Sequence, residues 1–252
     1  MSESEYKTIN YWSEQEKLIG NELLEHFEQC PIPENHLLSN LGLFLNSRTL
    51  SRILFMNHIY KQIVDVQGVV MEFGTRWGQN ISLFAALRGI YEPFNRHRKL
   101  IGFDTFKGFP SLHSKDGASE MMKIGEAATT ENYENYLWKQ LYFQEQDNPL
   151  SHIQKFELCK GDATVEIDRY LDRNPHTIIA LAYFDFDLYE PTKKCLEKIK
   201  ERLPKGSIVG FDELNDPDSP GETIALMEVF GLNNVELKRL PITSRTSYFV
   251  VK

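Results

Sequence analysis

The chain has 252 residues, 41% of them hydrophobic and 25% charged, which suits a globular protein with one α/β domain and an appendage. Its formal net charge of −8 excludes a large nucleic-acid footprint, which needs a basic face. Three widely spaced cysteines, Cys30, Cys159 and Cys195, form no CxxC and leave an odd count, so free thiols in a reducing cytosol fit better than a disulfide framework or a zinc knuckle.

The opening MSESEYKTINYW has neither the basic nor the apolar region of a signal peptide, and no apolar run approaches the roughly 20 residues of a membrane span. A cytoplasmic location without membrane contact is expected. Residues 1–65 read as a helical extension. SEQEKLIGNELLEHF carries Leu18, Leu23, Leu24 and Phe27 at helical spacings, and SRTLSRILFMNHIYKQIV sets Leu50, Ile53 and Leu54 on one face behind Ser47 or Thr49 as cap. CPIPENH breaks the two apart. Leu37, Leu38, Leu41, Leu43 and Phe44 add more apolar surface than one sheet edge requires, which predicts a homodimer or larger assembly.

From residue 66 onward, strands and helices alternate. GVVMEFG, KLIGFDTF, KFELCKGDA, TIIALAYFDFD and GSIVGFDE read as strands, with helices over NISLFAALRGIYEPF, TVEIDRYLDR, the segment through Leu196 and Ile199, and GETIALMEVFG. A long polar insertion at 107–152 contains a loop, KGFPSLHSKDG, and a helix, TENYENYLWKQLYF. Connections of that length often cover active sites, so a lid that orders on ligand binding is expected. VELKRLPI and TSYFVVK read as two consecutive final strands. The alternation implies a largely parallel sheet with helices on both faces and a C-terminal antiparallel hairpin at one edge.

In such sheets ligands bind beyond the carboxyl ends of the strands. The residues ending these strands are Glu72, Asp104, Asp162, Asp185, Asp187, Asp212 and Glu213. In VVMEFGTRWGQN, Gly74 and Gly78 stand between a strand and a helix, where glycine permits a sharp turn and close ligand approach. The spacing is neither GxGxxG nor a P-loop. Asp104 follows Gly74 by 30 positions, against about 20 in dinucleotide folds. Acids suited to ribose hydroxyls (Asp104) and an adenine amino group (Asp162), without a pyrophosphate clamp, favour S-adenosylmethionine over NAD.

In YFDFDLYEPT, Asp185 and Asp187 share a face if the strand stays regular, and GFDE brings Asp212 and Glu213 beside them. Such carboxylates repel unless neutralised, and a hard divalent cation, Mg²⁺ first, meets that need. The plainer alternative makes Asp185 or Asp187 a cap for the following helix. His113 reads as an exposed loop residue, and the sequon Asn80-Ile81-Ser82 as chance.

VVMEFGTRWGQNIS, IGFDTFKGFP and YFDFDLYEPT…GSIVGFDE resemble the macrocin O-methyltransferase (TylF-like) family of class I S-adenosylmethionine-dependent methyltransferases, over roughly residues 40–215. The resemblance implies a Rossmann-like, seven-stranded mixed sheet ending in the hairpin, and Mg-dependent O-methylation of a sugar or sugar-containing natural product. It implies Asp185, Asp212 and Glu213 as metal ligands and Asp187 as base. The expected cofactor contacts are Glu72, Gly74, Thr75, Gly78, Asn80, Asp104, Thr105, Phe106, Gly161, Asp162, Ala163 and Asp185. The acceptor would be a small molecule, a glycoside or nucleotide-linked sugar. Two departures stand out: the acidic pair is Asp212-Glu213 where the family usually has Asp-Asp, and a proline-rich NDPDSPGE follows it. Methyl transfer to a catechol, a phosphate-type oxygen or a peptide, and NAD-dependent oxidation, are the alternatives.

Overall fold

Each of the five apolar runs from residue 66 to the acidic pair becomes a strand, and the chain bends where its polar punctuation falls. In the computed structural model, which describes residues 13–252, these are β1 (Val69–Phe73), β2 (Leu100–Asp104), β3 (Phe156–Lys160), β4 (Ile179–Phe184) and β5 (Ile208–Phe211). All five are parallel, and β6 (Ser247–Val250) closes the edge antiparallel to β5, in the order β3-β2-β1-β4-β5-β6. Every residue of β4 is buried, which is why this central strand reads as a continuous apolar run and not as an alternation.

The seven-stranded expectation is corrected to six. VELKRLPI forms only an isolated bridge, in which Lys238 and Tyr248 exchange backbone hydrogen bonds at 2.7 and 2.9 Å. Pro241 beyond it has no N–H to extend the ladder.

Helices α1 (Glu14–Glu28), α2 (Glu34–Leu37) and α3 (Ser47–Gln62) precede the sheet. α4 (Gln79–Tyr91), α5 (Tyr133–Gln146), α6 (Ala163–Arg173), α7 (Tyr189–Ile199) and α8 (Gly221–Val229) are interleaved with its strands. Helices α3, α4 and α5 pack on one face, where Phe55, Ile59, Phe84 and Leu141 meet Val70, Leu181 and Tyr183. Helices α6, α7 and α8 cover the other, where Ile167, Leu196 and Leu226 meet Met71, Ala182 and Val209. Cys195 is buried in that second core and all three cysteines are free thiols. Among the described residues no helix is long and apolar enough to cross a membrane.

The helical extension is not uniform. α1 and α2 bury nothing, whereas α3 buries Phe55, Met56, Ile59 and Tyr60. The predicted face is thereby corrected: Leu50 and Leu54 are exposed, and the cap is Asn46, whose side chain accepts the Thr49 N–H at 2.8 Å. Arg98 fixes the exit of α3, donating to the carbonyls of Ile63 and Val66 at 2.8 Å each and to that of Gly68, while ion-paired to Glu92 at 2.8 Å. Residues 1–12 of the expected extension lie outside the described residues.

The insertion is folded onto the domain. Phe109 and Met122 pack with Leu188 in a small core of their own. Its helix, α5, is pinned by a buried triad in which Glu145 pairs with Arg88 at 3.0 Å and with Lys155 at 2.5 Å.

Candidate active site

At the carboxyl edge of the sheet an aromatic row crosses four strands. Phe103, Phe73, Phe184 and Phe211 are in register, their rings stacked at centroid separations of 5.0, 4.6 and 5.4 Å. Each of these phenylalanines is followed by a residue of the site: Asp104, Gly74, Asp185 and Asp212. The rings point into the core on the α6–α8 face, and the residue after each one reaches the carboxyl edge of the sheet. At this edge opens a cavity of about 510 Å³.

Of the sequence-predicted residues, Gly74, Thr75, Asn80, Asp104, Thr105, Gly161, Asp162, Ala163, Asp185, Asp187, Asp212 and Glu213 line the cavity. Glu72, Gly78 and Phe106 do not. Phe106, at φ +56°, turns into the core. A Cβ on Gly74 would lie 2.0 Å from the Asp185 carbonyl oxygen, and one on Gly78 would lie 2.2 Å from the Leu137 side chain of α5. Both take positive φ, +95° at Gly74 and +77° at Gly78, a conformation that favours glycine.

On the β1–β2–β3 side, the Asp104 carboxylate accepts the N–H groups of Arg76 at 2.7 Å and Phe106 at 2.6 Å. It thus ties together the loops after β1 and β2. Burial raises its pKa despite these bonds. Asp162 accepts the Thr164 N–H at 2.9 Å and so caps α6 while also lining the cavity. Glu72 is buried, and burial pushes its pKa up to about 8. Asn80 and the backbone of Ile81 oppose that rise, so Glu72 is held by the start of α4 and not by the cavity.

On the β4–β5 side the carboxylates converge, and the positive charge required to hold them there comes from two arginines that the sequence reading missed. Arg52 of α3 lies 2.7 Å from Asp212 and 3.7 Å from Asp185, and Arg245 lies 2.7 Å from Glu213 and 3.1 Å from Asp216. Burial disfavours the Arg52 charge, but Asp212, with Tyr183 and Asp185, holds its pKa above the ordinary arginine range. Asp212 also accepts the Tyr183 hydroxyl at 2.9 Å, and Asp185 accepts the Asn80 amide at 3.3 Å. Asn80 is buried, which removes the sequon from consideration.

The strand does not stay regular through the acidic motif. β4 ends at Phe184, and Asp187 adopts φ +62°. Glu222 at the start of α8 accepts the Phe186 N–H at 2.8 Å, holding this turn. Neither aspartate caps the following helix: the Tyr189 N–H at the start of α7 is accepted by Asp116 of the insertion at 2.6 Å. Burial, then neighbouring carboxylates, push Asp185 well above the usual range, and burial brings Asp187 to about 6. Glu213 is raised to about 10 by burial and the Asp187 charge, with Arg245 opposing. His113 is exposed, its ring 4.8 Å from that of Tyr189, and does not line the cavity.

Solved structures with this architecture include two of CalS11. One is described as a calicheamicin methyltransferase: 43% identical, TM-score 0.93, covering 96% of this chain and 94% of that one. The other is the apo form, described as a TDP-rhamnose 3'-O-methyltransferase of calicheamicin biosynthesis: 40% identical, TM-score 0.85, 96% of each chain. The chain belongs to the TylF-like family of class I S-adenosylmethionine-dependent O-methyltransferases. The O-methyltransferase NovP, at 18% identity and TM-score 0.59 over 80% of each chain, shares the fold. No protein-family model and no curated protein matches the chain.

S-Adenosylmethionine is the cofactor of this methyltransferase. Asp104 and Asp162 on the β2–β3 side and the cavity volume suit an adenosyl group. For magnesium the donor chemistry fits, since Asp185, Asp212 and Glu213 offer only hard oxygens and all three line the cavity, with Glu213 hydrogen-bonded to Asp187. Among the described residues no three such side chains already form a coordinating group, and the arginines hold the countercharge.

Proposed function

We propose that this methyltransferase transfers a methyl group to a sugar hydroxyl of a nucleotide-linked sugar or related glycoside, with magnesium held by Asp185, Asp212 and Glu213. The observation that carries the reading is one cavity with two chemically distinct halves: Asp104 and Asp162 beyond β2 and β3, and the carboxylates beyond β4 and β5. The relative described as acting on TDP-rhamnose supports the acceptor class. So does a groove of about 450 Å³ that shares Asp216, Ser244 and Arg245 with the cavity and runs to the exposed Arg239, offering room and charge for the rest of a nucleotide.

The cofactor supplies a methyl group activated on a sulfonium, and magnesium a Lewis acid that lowers the pKa of the bound hydroxyl. Asp187 takes the hydroxyl proton. Burial raises its carboxylate above an ordinary aspartate, which makes it a stronger proton acceptor. The insertion, latched across the site by Asp116 on α7 and by Lys115 on Glu228 at 2.5 Å, acts as the cover of the acceptor site. Incubation with S-adenosylmethionine, magnesium and a panel of nucleotide-linked deoxysugars should give a singly methylated product by mass spectrometry, and EDTA should abolish it. Undiminished turnover after metal removal would sink the magnesium assignment. Methylation of free glycosides alone would sink the nucleotide-linked acceptor.

The N-terminal helices carry the assembly. Leu18, Leu23, Leu24, Leu38 and Leu43 are all exposed, Leu38 by 79%, on elements that bury nothing of their own. A contiguous apolar surface of this kind is normally covered by a partner. Sedimentation at micromolar concentration should report at least twice the mass of one chain; a single-chain mass would refute the assembly.

A further inference from the structure

Arg52 engages oxygens that the proposed metal would need. Its guanidinium reaches both carboxylates assigned to magnesium, 2.7 Å from Asp212 Oδ1 and 3.7 Å from Asp185 Oδ2, and reaches Asn80 Oδ1 at 3.4 Å. A guanidinium and a dication cannot bind there together, because both need the same oxygens and repel each other. The residue comes from α3, whose backbone is fixed by the buried Phe55, Met56, Ile59 and Tyr60. Its side chain, by contrast, is 27% exposed and lines the open cavity, so the guanidinium can swing aside on its own torsions. Arg245 is placed differently: it engages Glu213 and Asp216 and is 3.8 Å from the far oxygen of Asp212.

We infer that Arg52 is a displaceable counter-ion, holding Asp185 and Asp212 in their binding positions when magnesium is absent and yielding them when it enters. The inference rests on the magnesium reading of the site. It explains how buried carboxylates stay together in the apo protein, where an uncompensated pair would protonate or splay.

The test is calorimetric titration of magnesium chloride into the full chain saturated with S-adenosylhomocysteine, for wild type, Arg52→Gln, Arg52→Met and Arg52→Lys. The two neutral variants should bind magnesium about tenfold more tightly than wild type, and Arg52→Lys should stay near wild type because it keeps the competing charge. A second readout is the melting temperature. In EDTA the neutral variants should melt below wild type, and magnesium should close the gap; an arginine with a merely structural role would lower both values alike. Equal magnesium affinity in wild type and the neutral variants would overturn the displacement while leaving the metal site standing. Weaker affinity in the neutral variants would overturn it by making Arg52 a supporting residue. Absence of magnesium binding in every protein would remove the metal reading, and Arg52 would be a permanent counter-ion.

Discussion

Asp187→Asn is expected to lower kcat by about 10²–10⁴-fold, the usual consequence of removing a general base, while magnesium and S-adenosylhomocysteine bind nearly as in wild type. The substitution is unusually clean at this position. Asp187 sits at φ +62°, a conformation asparagine adopts almost as readily as aspartate, so the turn held by Glu222 should survive. What changes is the carboxylate, which burial makes a stronger proton acceptor than an ordinary aspartate. Steady-state kinetics and magnesium calorimetry on the same preparation decide the matter. Loss of magnesium binding equal to that in Asp185→Asn would make Asp187 a ligand and overturn its assignment as the base.

Asp104→Ala should weaken S-adenosylhomocysteine binding by about 10–150-fold for each charge-assisted hydrogen bond lost. It should also lower the melting temperature. The carboxylate already receives the N–H groups of Arg76 and Phe106, so its removal leaves two amides without an acceptor at the junction of two loops. Each amide left buried and unpaired costs about 1–3 kcal/mol. Asp104→Asn separates the two roles: it keeps an acceptor for one loop amide while removing the charge. An unchanged dissociation constant for S-adenosylhomocysteine in the alanine variant would reject the cofactor assignment.

The strand positions were legible because their residues obey a local rule: apolar, largely β-branched or aromatic runs closed by an acid or a glycine. The site was legible at the same points, since parallel strands all deliver their last residues to one edge. A stronger signal lay unread in the repeated dipeptides Phe73-Gly74, Phe103-Asp104, Phe184-Asp185 and Phe211-Asp212, which place the aromatic row and the polar rim in register. The arginines were not legible. Arg52 is one of several charged residues on a helix that reads as an appendage, and Arg245 follows the last proline in a segment with no periodicity; both reach the carboxylates only through tertiary folding. The seventh strand failed for the opposite reason. VELKRLPI has strand composition, but pairing depends on the partner and on Pro241, and one bridge is all that forms.

Helix α3 has a consequence for truncation. By sequence it belongs with α1 and α2, ahead of the alternating units, and a shortened protein would naturally begin near residue 66. That cut would remove Tyr60, whose hydroxyl donates to Glu92 at 2.8 Å, together with the Ile63 carbonyl that Arg98 engages, and would strip the counter-ion from Asp185 and Asp212. A chain begun at Asn46, which caps α3, would shed the exposed leucines of α1 and α2 and keep every side chain that lines the cavity. The functional frontier of the enzyme thus runs through the helical extension and not along its junction with the sheet. Shortening the chain ahead of α3 would leave the site whole, and shortening it beyond α3 would dismantle it.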